Sequence, residues 1–368
     1  MGRAADIGLA LLVGLAAAAH GGEIEVAVDN PPGTGTVLAL LYDVPDAFAD
    51  LRDPRATLEL PDGGRTAARF GDLAPGRYAV VVFHDVNGNG RLDENFLGIP
   101  REPLGFSNRY WAKGPPAFAG AALEVDAGAL VPAAVELKKI FGRKGLIGVG
   151  AGVLAQTSPY RDSGSMQAQA IPAITYIGER FQILGPLAQA GLVDFGPARL
   201  AATARYRLGA YEEDDSAYLD GMGDRQDSLF CGLALQAPFV TGLRTSAGYE
   251  HDVLDRVGGG FGRLGVRRGF QFGRWSLAPN FGLNWMSAEL ARHEYGVEPA
   301  EARADRPAYR PGDAVNLEPG LGVSAEWRGA WRLVANGSLE FLAAELRASP
   351  LVDESAVFHF FGAVNYTF

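Results

Sequence analysis

Between residues 85 and 93 the chain reads Asp85-Val86-Asn87-Gly88-Asn89-Gly90-Arg91-Leu92-Asp93, with oxygen-bearing side chains at loop positions 1, 3, 5 and 9 and glycine at position 6. That spacing suits a hard cation. Ca²⁺ takes roughly six to eight oxygen ligands, and alternate residues of a tight loop can all turn inward. Asp85, Asn87, Asn89 and Asp93 supply side-chain oxygens, the main-chain carbonyl of Arg91 adds one, and Gly90 permits the sharp turn. The pattern departs from a full twelve-residue calcium loop at its last position, where Phe96 replaces the bidentate glutamate, so Glu94 or Asp93 has to compensate. A structural Ca²⁺ is one expectation. The other is a hairpin of Asx turns in which Asn and Gly serve the backbone alone.

A second constellation is His251-Asp252 with Ser246 nearby. A hydrolase needs a nucleophile, a base and an orienting carboxylate that converge in space, and sequence adjacency does not supply convergence. With five histidines in the chain, a chance His-Asp pair at a strand end is the better reading. No phosphate loop or zinc spacing occurs, so a non-enzymatic protein is expected. The formal net charge of −10 argues against nucleic acid, which needs a basic surface. The one cysteine, Cys231, cannot form an internal disulfide or anchor a lipid near the N-terminus, and reads as a small apolar strand residue.

These groups must be positioned by β-structure. The chain has 368 residues, 49 glycines and 10% aromatics, with only 21% charged, a composition suited to strands and many turns. Arg3, the apolar run Ile7–Ala19 and the small-residue site Ala17-Ala18-Ala19 predict a cleaved export signal over residues 1–19. Elsewhere no apolar run reaches the roughly 18 residues of a membrane helix. Residues 23–137 hold short strand-like runs (Glu23–Val28, Thr36–Tyr42, Arg77–Phe83, Ala121–Val125, Val131–Leu137) separated by Pro/Gly/Asn turns. They predict a β-sandwich of immunoglobulin or transthyretin type, with at most a helical turn near Pro45–Leu51.

Residues 138–145 form a short basic linker. From 146 to 368 the pattern becomes long period-2 alternation with aromatics at segment ends. The last segment places Phe358, Phe360, Val364, Tyr366 and Phe368 on one face and His359, Asn365 and Thr367 on the other. Such segments match transmembrane β-strands and their interfacial girdles. The pattern yields eleven strands, and a turn at Gly185-Pro186 raises the number to twelve, since single-chain bacterial barrels close on even numbers. Short turns near Gly178, Gly196, Pro238–Gly242, Phe270–Gly273 and Gly329 then fall on the periplasmic side. The long loops Gln156–Met166, Gly209–Arg225, Ala291–Asp313 and Arg347–Asp353 fall outside. The expected fold is all-β: a periplasmic β-sandwich followed by a 12-stranded antiparallel transmembrane β-barrel, located in the cell outer membrane with the N-terminal domain in the periplasm.

Two resemblances follow from particular residues. His84–Asp93 together with Gly98-Ile99-Pro100-Arg101-Glu102-Pro103-Leu104-Gly105-Phe106-Ser107-Asn108 is similar to a family of small secreted bacterial domains of unknown function, which implies a β-sandwich and no established activity. Residues 146–368 resemble the MltA-interacting protein/OmpV family. The carrying residues are Ser158-Pro159-Tyr160 with Ser163, Pro172 through Tyr176, Leu219-Asp220-Gly221-Met222 with Asp227, Tyr295-Gly296-Val297, Ser349-Pro350-Leu351-Val352 and the terminal Tyr366-Thr367-Phe368. This resemblance implies an outer-membrane barrel that scaffolds murein-remodelling enzymes, with adhesins and small pores among its members. A scaffold linking the membrane to peptidoglycan or its synthases and hydrolases is therefore expected. The alternative is a small-solute channel or adhesin, because Arg199, Arg205, Arg207, Arg332, Glu318, Glu326 and Glu340 fall on inward positions and could line water.

Overall fold

The computed structural model describes residues 21–112, 115–141, 145–163, 166–240, 242–327 and 329–367. The segment read as an export signal (residues 1–19), residues Gly142–Lys144 of the basic linker and the terminal Phe368 lie outside the described residues.

The N-terminal unit consists of two sheets. In the first, β1 (Gly22–Val28) lies between antiparallel β4 (Ala68–Leu73) and parallel β8 (Leu130–Val135). In the second, β2 (Thr36–Tyr42) pairs with β3 (Ala56–Glu59) and with β5 (Gly76–Asp85). β5 in turn pairs with β6 (Leu104–Phe106) and, at its start, with β7 (Leu123–Val125). Ile24, Val26, Phe70, Val37, Leu41, Val80 and Val82 fill the space between the sheets. The far face of the second sheet is covered as well. There Leu38, Tyr42, Val81 and Phe83 pack against Phe48 of the helix Pro45–Asp50 and against Phe106. Burial on both faces explains why β2 and β5 read as continuous apolar runs, the pattern of a strand with no solvent side. The helical turn expected near Pro45–Leu51 is a helix entered through Pro45 and ended by Leu51 in the left-handed conformation (φ 54°). β3, β4 and β6 carry no clear signal in the sequence. They are three to six residues long, and Gly71 and Asp72 interrupt the β-propensity of β4.

The remaining strands close into an antiparallel barrel. They are β9 (Leu146–Gln156), β10 (Gln167–Ile177), β11 (Phe181–Leu184), β12 (Leu187–Phe195), β13 (Ala198–Arg207), β14 (Ser228–Val240), β15 (Leu243–Asp252), β16 (Gly260–Arg268), β17 (Phe270–Phe272), β18 (Trp275–Met286), β19 (Ala314–Trp327), β20 (Trp331–Phe341) and β21 (Ala356–Thr367). Thirteen strands make twelve staves, because β16 and β17 run end to end along β18. The turn at Gly185-Pro186 does split its segment, with Gly185 at φ 60°. β21 pairs with β9, which joins the first and last staves. Closure matters because an unpaired backbone in hydrocarbon costs several kcal/mol per group.

Alternation sets the two faces. Leu233, Leu264, Phe281, Leu321 and Phe358 are 41–56% exposed outward, whereas Thr203, Asn316, Ser338 and Asn365 are buried inward. Trp275, Trp327, Trp331 and Tyr366 gather at the short-turn end, with the Trp331 and Tyr366 rings 5.3 Å apart. That is the aromatic girdle of a membrane boundary. β11 is so short that Gln167–Ala173 of β10 have no ladder partner on that side among the described residues. Pro172 lies in this stretch, where its missing N–H removes no ladder bond.

Candidate functional site at the two mouths of the barrel

The calcium-type loop folds on itself. Asp85 is 2% exposed. Its Oδ1 accepts the N–H groups of Gly88 (2.8 Å) and Asn89 (3.1 Å), and its Oδ2 accepts that of Gly90 (2.7 Å). Gly88 and Gly90 have φ of 72° and 73°, which glycine adopts at no steric cost. The side-chain amides of Asn87 and Asn89 donate to the Asp93 carboxylate at 2.7 and 3.0 Å. Four of the five expected ligand residues thus converge through their side chains. Sequence reasoning missed a third carboxylate, Glu102. It is 5% exposed and accepts the N–H groups of Val86 (2.8 Å) and Asp93 (3.0 Å), clasping the loop at both ends. Burial raises its pKa, those two N–H bonds oppose the rise, and the nearby Asp93 and Asp85 charges add to it. Among the described residues, no three His, Cys, Asp or Glu side chains form a metal cage.

The chain leaving this loop enters the short-turn mouth of the barrel. Glu94, 5% exposed in its side chain, accepts from Arg199 of β13 at 2.5 Å and from Arg52 at 3.3 Å, with Arg244 of β15 at 3.7 Å. Asn95 Nδ2 donates to the Gly178 carbonyl at 3.0 Å. Gly98 (φ 80°) packs so closely on the Arg244 guanidinium that a Cβ there would sit 1.8 Å from Nη1. The Gly-Ile-Pro signature is therefore a contact residue closing the turn that starts at Asn95, followed by Pro100, which bridges back to Glu94. Around this centre Arg101 pairs with Asp194 (3.2 Å), Lys139 with Glu179 (2.7 Å) and Asp46 with Arg268 (2.6 Å). The Gly242 N–H donates to Asp50. An apolar contact can slide, but charge pairs set at fixed points hold one register.

The opposite mouth is closed differently. The helix Ala288–Tyr295 opens the loop expected over Ala291–Asp313 and carries Leu290 and Tyr295 into a core with Tyr160, Tyr211, Leu219 and Leu351. Lumen-facing residues at the strand tops, Phe230, Met286 and Val357, join it. Arg207 forms an ion pair with buried Glu294. Burial raises the Glu294 pKa and Arg207 opposes the rise. Burial also pushes the Tyr211 phenol up to about 12 and Tyr160 well above its ordinary value. Arg306 is 1% exposed and donates to the carbonyls of Tyr218 (2.5 Å), Glu301 (2.7 Å) and Asp220 (3.1 Å). Ser349 Oγ donates to the Tyr295 carbonyl at 2.6 Å. Four motifs scattered from Tyr160 to Val352 thus assemble into one apolar cap.

Between the mouths, the expected inward charges do face the lumen, in pairs. Arg205 meets Glu250 (2.9 Å), Arg263 meets Glu318 (2.5 Å), Arg332 meets Glu326 (3.5 Å) and His359 meets Glu340 (3.0 Å). The His251, Asp252 and Ser246 side chains do not converge. His251 Nδ1 bonds Tyr249 Oη at 3.0 Å on the outer face, while Asp252 takes the Ser228 hydroxyl and the N–H groups of Leu254, Val257 and Gly258. Adjacent strand residues point to opposite faces, which separates the pair.

Comparison with known proteins agrees with this architecture. Residues 26–131 match an uncharacterized protein family conserved in bacteria (DUF2141). The putative outer membrane protein YiaT of Escherichia coli (strain K12) is 26% identical over 227 residues, 60% of this chain and 91% of that protein. The MltA-interacting protein of the same strain is 26% identical over 216 residues, 58% of this chain and 86% of that protein. Outer-membrane expressed OmpT of Vibrio cholerae aligns over 94% of this chain and 96% of its own, at 11% identity and a TM-score of 0.25, a likeness too loose to carry function. The family described as MltA-interacting protein MipA matches residues 149–368, nearly the whole barrel from its first stave, and this outer-membrane β-barrel protein belongs to that family.

Proposed function

We propose that the protein is a non-enzymatic outer-membrane scaffold. Its barrel is closed, and its N-terminal unit, read as a sandwich of the immunoglobulin or transthyretin type, is held at the periplasmic mouth as a docking platform for murein-remodelling enzymes or peptidoglycan. One observation carries this reading: both mouths are covered, the outer by the apolar cap around Tyr160 and Tyr295 and the inner by the unit pinned through Glu94. A conducting pore needs a continuous wet path, and a cap of packed aromatics lacks one. A platform needs a fixed orientation, which the ion pairs at Arg199, Asp194, Glu179 and Arg268 favour. The name of the Escherichia coli relative, MltA-interacting protein, points to the same class of partner.

A structural Ca²⁺ at Asp85, Asn87, Asn89, Arg91 and Asp93 belongs to this reading as a rigidifier of the segment that reaches the mouth. Turning the Asn87 and Asn89 amides by half a rotation would present oxygen where nitrogen now meets Asp93, in exchange for the N–H bonds that their Oδ1 atoms accept from Asn89 and Arg91.

The scaffold is tested with a photo-crosslinker at Arg109, exposed on the N-terminal unit, in intact cells. Adducts with a murein hydrolase or synthase are expected, alongside no step conductance in planar bilayers. Open-channel conductance without such adducts overturns the reading in favour of a pore.

A further inference from the structure

We propose that the periplasmic half of the lumen binds a small carboxylate solute between the guanidinium groups of Arg244 and Arg267. The two residues are direct cross-strand partners on β15 and β16. Both face the lumen, since the alternate residues Leu264 and Val266 are exposed to lipid. Like charges directly opposite one another are destabilising, so this pair calls for a counter-ion.

The chain does not supply enough negative charge. Glu250, Glu318, Glu326, Glu340 and Asp194 are engaged by Arg205, Arg263, Arg332, His359 and Arg101. Glu94 reaches Arg244 only at 3.7 Å and is held more closely by Arg199 and Arg52. Among the described residues the Arg267 side chain makes no ion pair or hydrogen bond, and it stays accessible. On the neighbouring stave, Gln236 Oε1, which pairs across from Ser246 two residues from Arg244, faces the same space, buried without a partner. An unpaired polar atom beside an uncompensated cation marks a place for solvent or solute.

Glu94 indicates which anion fits. Its carboxylate already sits among three guanidinium groups of this mouth, and the planar guanidinium fork matches a carboxylate. A cleft of about 440 Å³, lined by Arg52, Glu94, Asp194, Arg199 and Pro238, lies between the N-terminal unit and the barrel rim. Its lining shares Glu94 and Arg199 with the ion-pair cluster that reaches Arg244. In this arrangement Glu94 is an internal competitor for the site.

The test is calorimetric titration of the full mature chain in detergent with succinate, inorganic phosphate and sodium chloride. Saturable succinate binding is expected, at least tenfold weaker in Arg267→Gln and tighter in Glu94→Gln. Arg267→Lys should give an intermediate loss and serves if the Gln variant does not assemble, which the heat-dependent gel shift of a folded barrel reports. No saturable succinate binding, or equal binding by wild type and the Arg267 variants, overturns the proposal. Phosphate binding in preference to succinate overturns the carboxylate assignment, and weaker binding by Glu94→Gln overturns the competition. A conducting barrel with no succinate site would instead count against the scaffold and this site separately, because conductance is read in a different assay.

Discussion

Replacing Glu94 with Gln should loosen the N-terminal unit from the barrel. The carboxylate is 5% exposed and the Arg199 side chain facing it 8%, so the pair is shielded from water. Removing one partner of a buried ion pair leaves the other charge uncompensated, at a cost of about 3–5 kcal/mol. The amide oxygen of the introduced glutamine still accepts a hydrogen bond from Arg199, so the lower end, about 3 kcal/mol, is the better figure. Once the unit swings away, Arg199 is hydrated by the lumen, so the cost falls on the docked state alone. At roughly 1.4 kcal/mol per tenfold, the docking equilibrium should shift about 10²-fold. The reporter is the Gly242 amide, which donates to Asp50 of the N-terminal unit across the interface. Its hydrogen exchange should accelerate by about the same factor, while exchange in the β9–β10 ladder stays as it was. A change under about threefold at Gly242 in a folded variant would refute the account of Glu94 as the pin, since the expected shift at roughly 1.4 kcal/mol per tenfold is far larger.

Three further outcomes are expected. Burial holds the His293 pKa down at about 4, helped by Arg225 and Arg207 and opposed by Asp252; the unfolded loop therefore takes up a proton near its ordinary value of 6.5 that the folded cap refuses, and cap stability should fall as pH drops from 6.5 towards 4. Near-ultraviolet circular dichroism of the cap tyrosines should show this loosening, and His293→Gln should flatten it; an identical profile in the variant removes His293 as the cause. Arg306→Met leaves the carbonyls of Asp220 and Glu301 without their donor, at about 1–3 kcal/mol for each group left unpaired, while the Tyr218 carbonyl keeps Arg303 at 2.8 Å. Proteinase K added to intact cells should then cut within residues 297–309, and continued resistance would show that the cap does not depend on this guanidinium. Millimolar Ca²⁺ should raise the melting temperature of the N-terminal unit within the full chain, by about 2.7 kcal/mol of stabilisation at roughly a hundred times the dissociation constant. Asp85→Asn with Asp93→Asn should abolish the gain, and an unchanged wild-type melting temperature leaves the loop as a hairpin of Asx turns.

Much of the barrel was legible in the sequence because its physics is local. A stave in a membrane must alternate apolar and polar residues every second position, so Phe358, Phe360, Val364 and Tyr366 could be assigned to one face before any pairing was known. Closure on an even number of strands turned a weak Gly185-Pro186 signal into a required turn. Loop length alone separated the two mouths. The calcium-type loop was equally visible, since its side chains meet within nine residues.

What the sequence left undetermined depends on contacts between distant segments. Glu94 and Arg199 are 105 residues apart, and no periodicity links them; they meet only because the N-terminal unit docks on the rim where β13 starts. Glu102 lies in a proline-rich stretch that reads as loop, and becomes the clasp of the Asp85–Asp93 turn because β6 brings the chain back beside β5. The inward charges were identified by parity, but parity cannot tell which carboxylate each arginine takes, so it could not single out Arg267. The four motifs from Tyr160 to Val352 were carried as separate signatures, and only the closed barrel, by bringing its long loops to one rim, packs them into a single core.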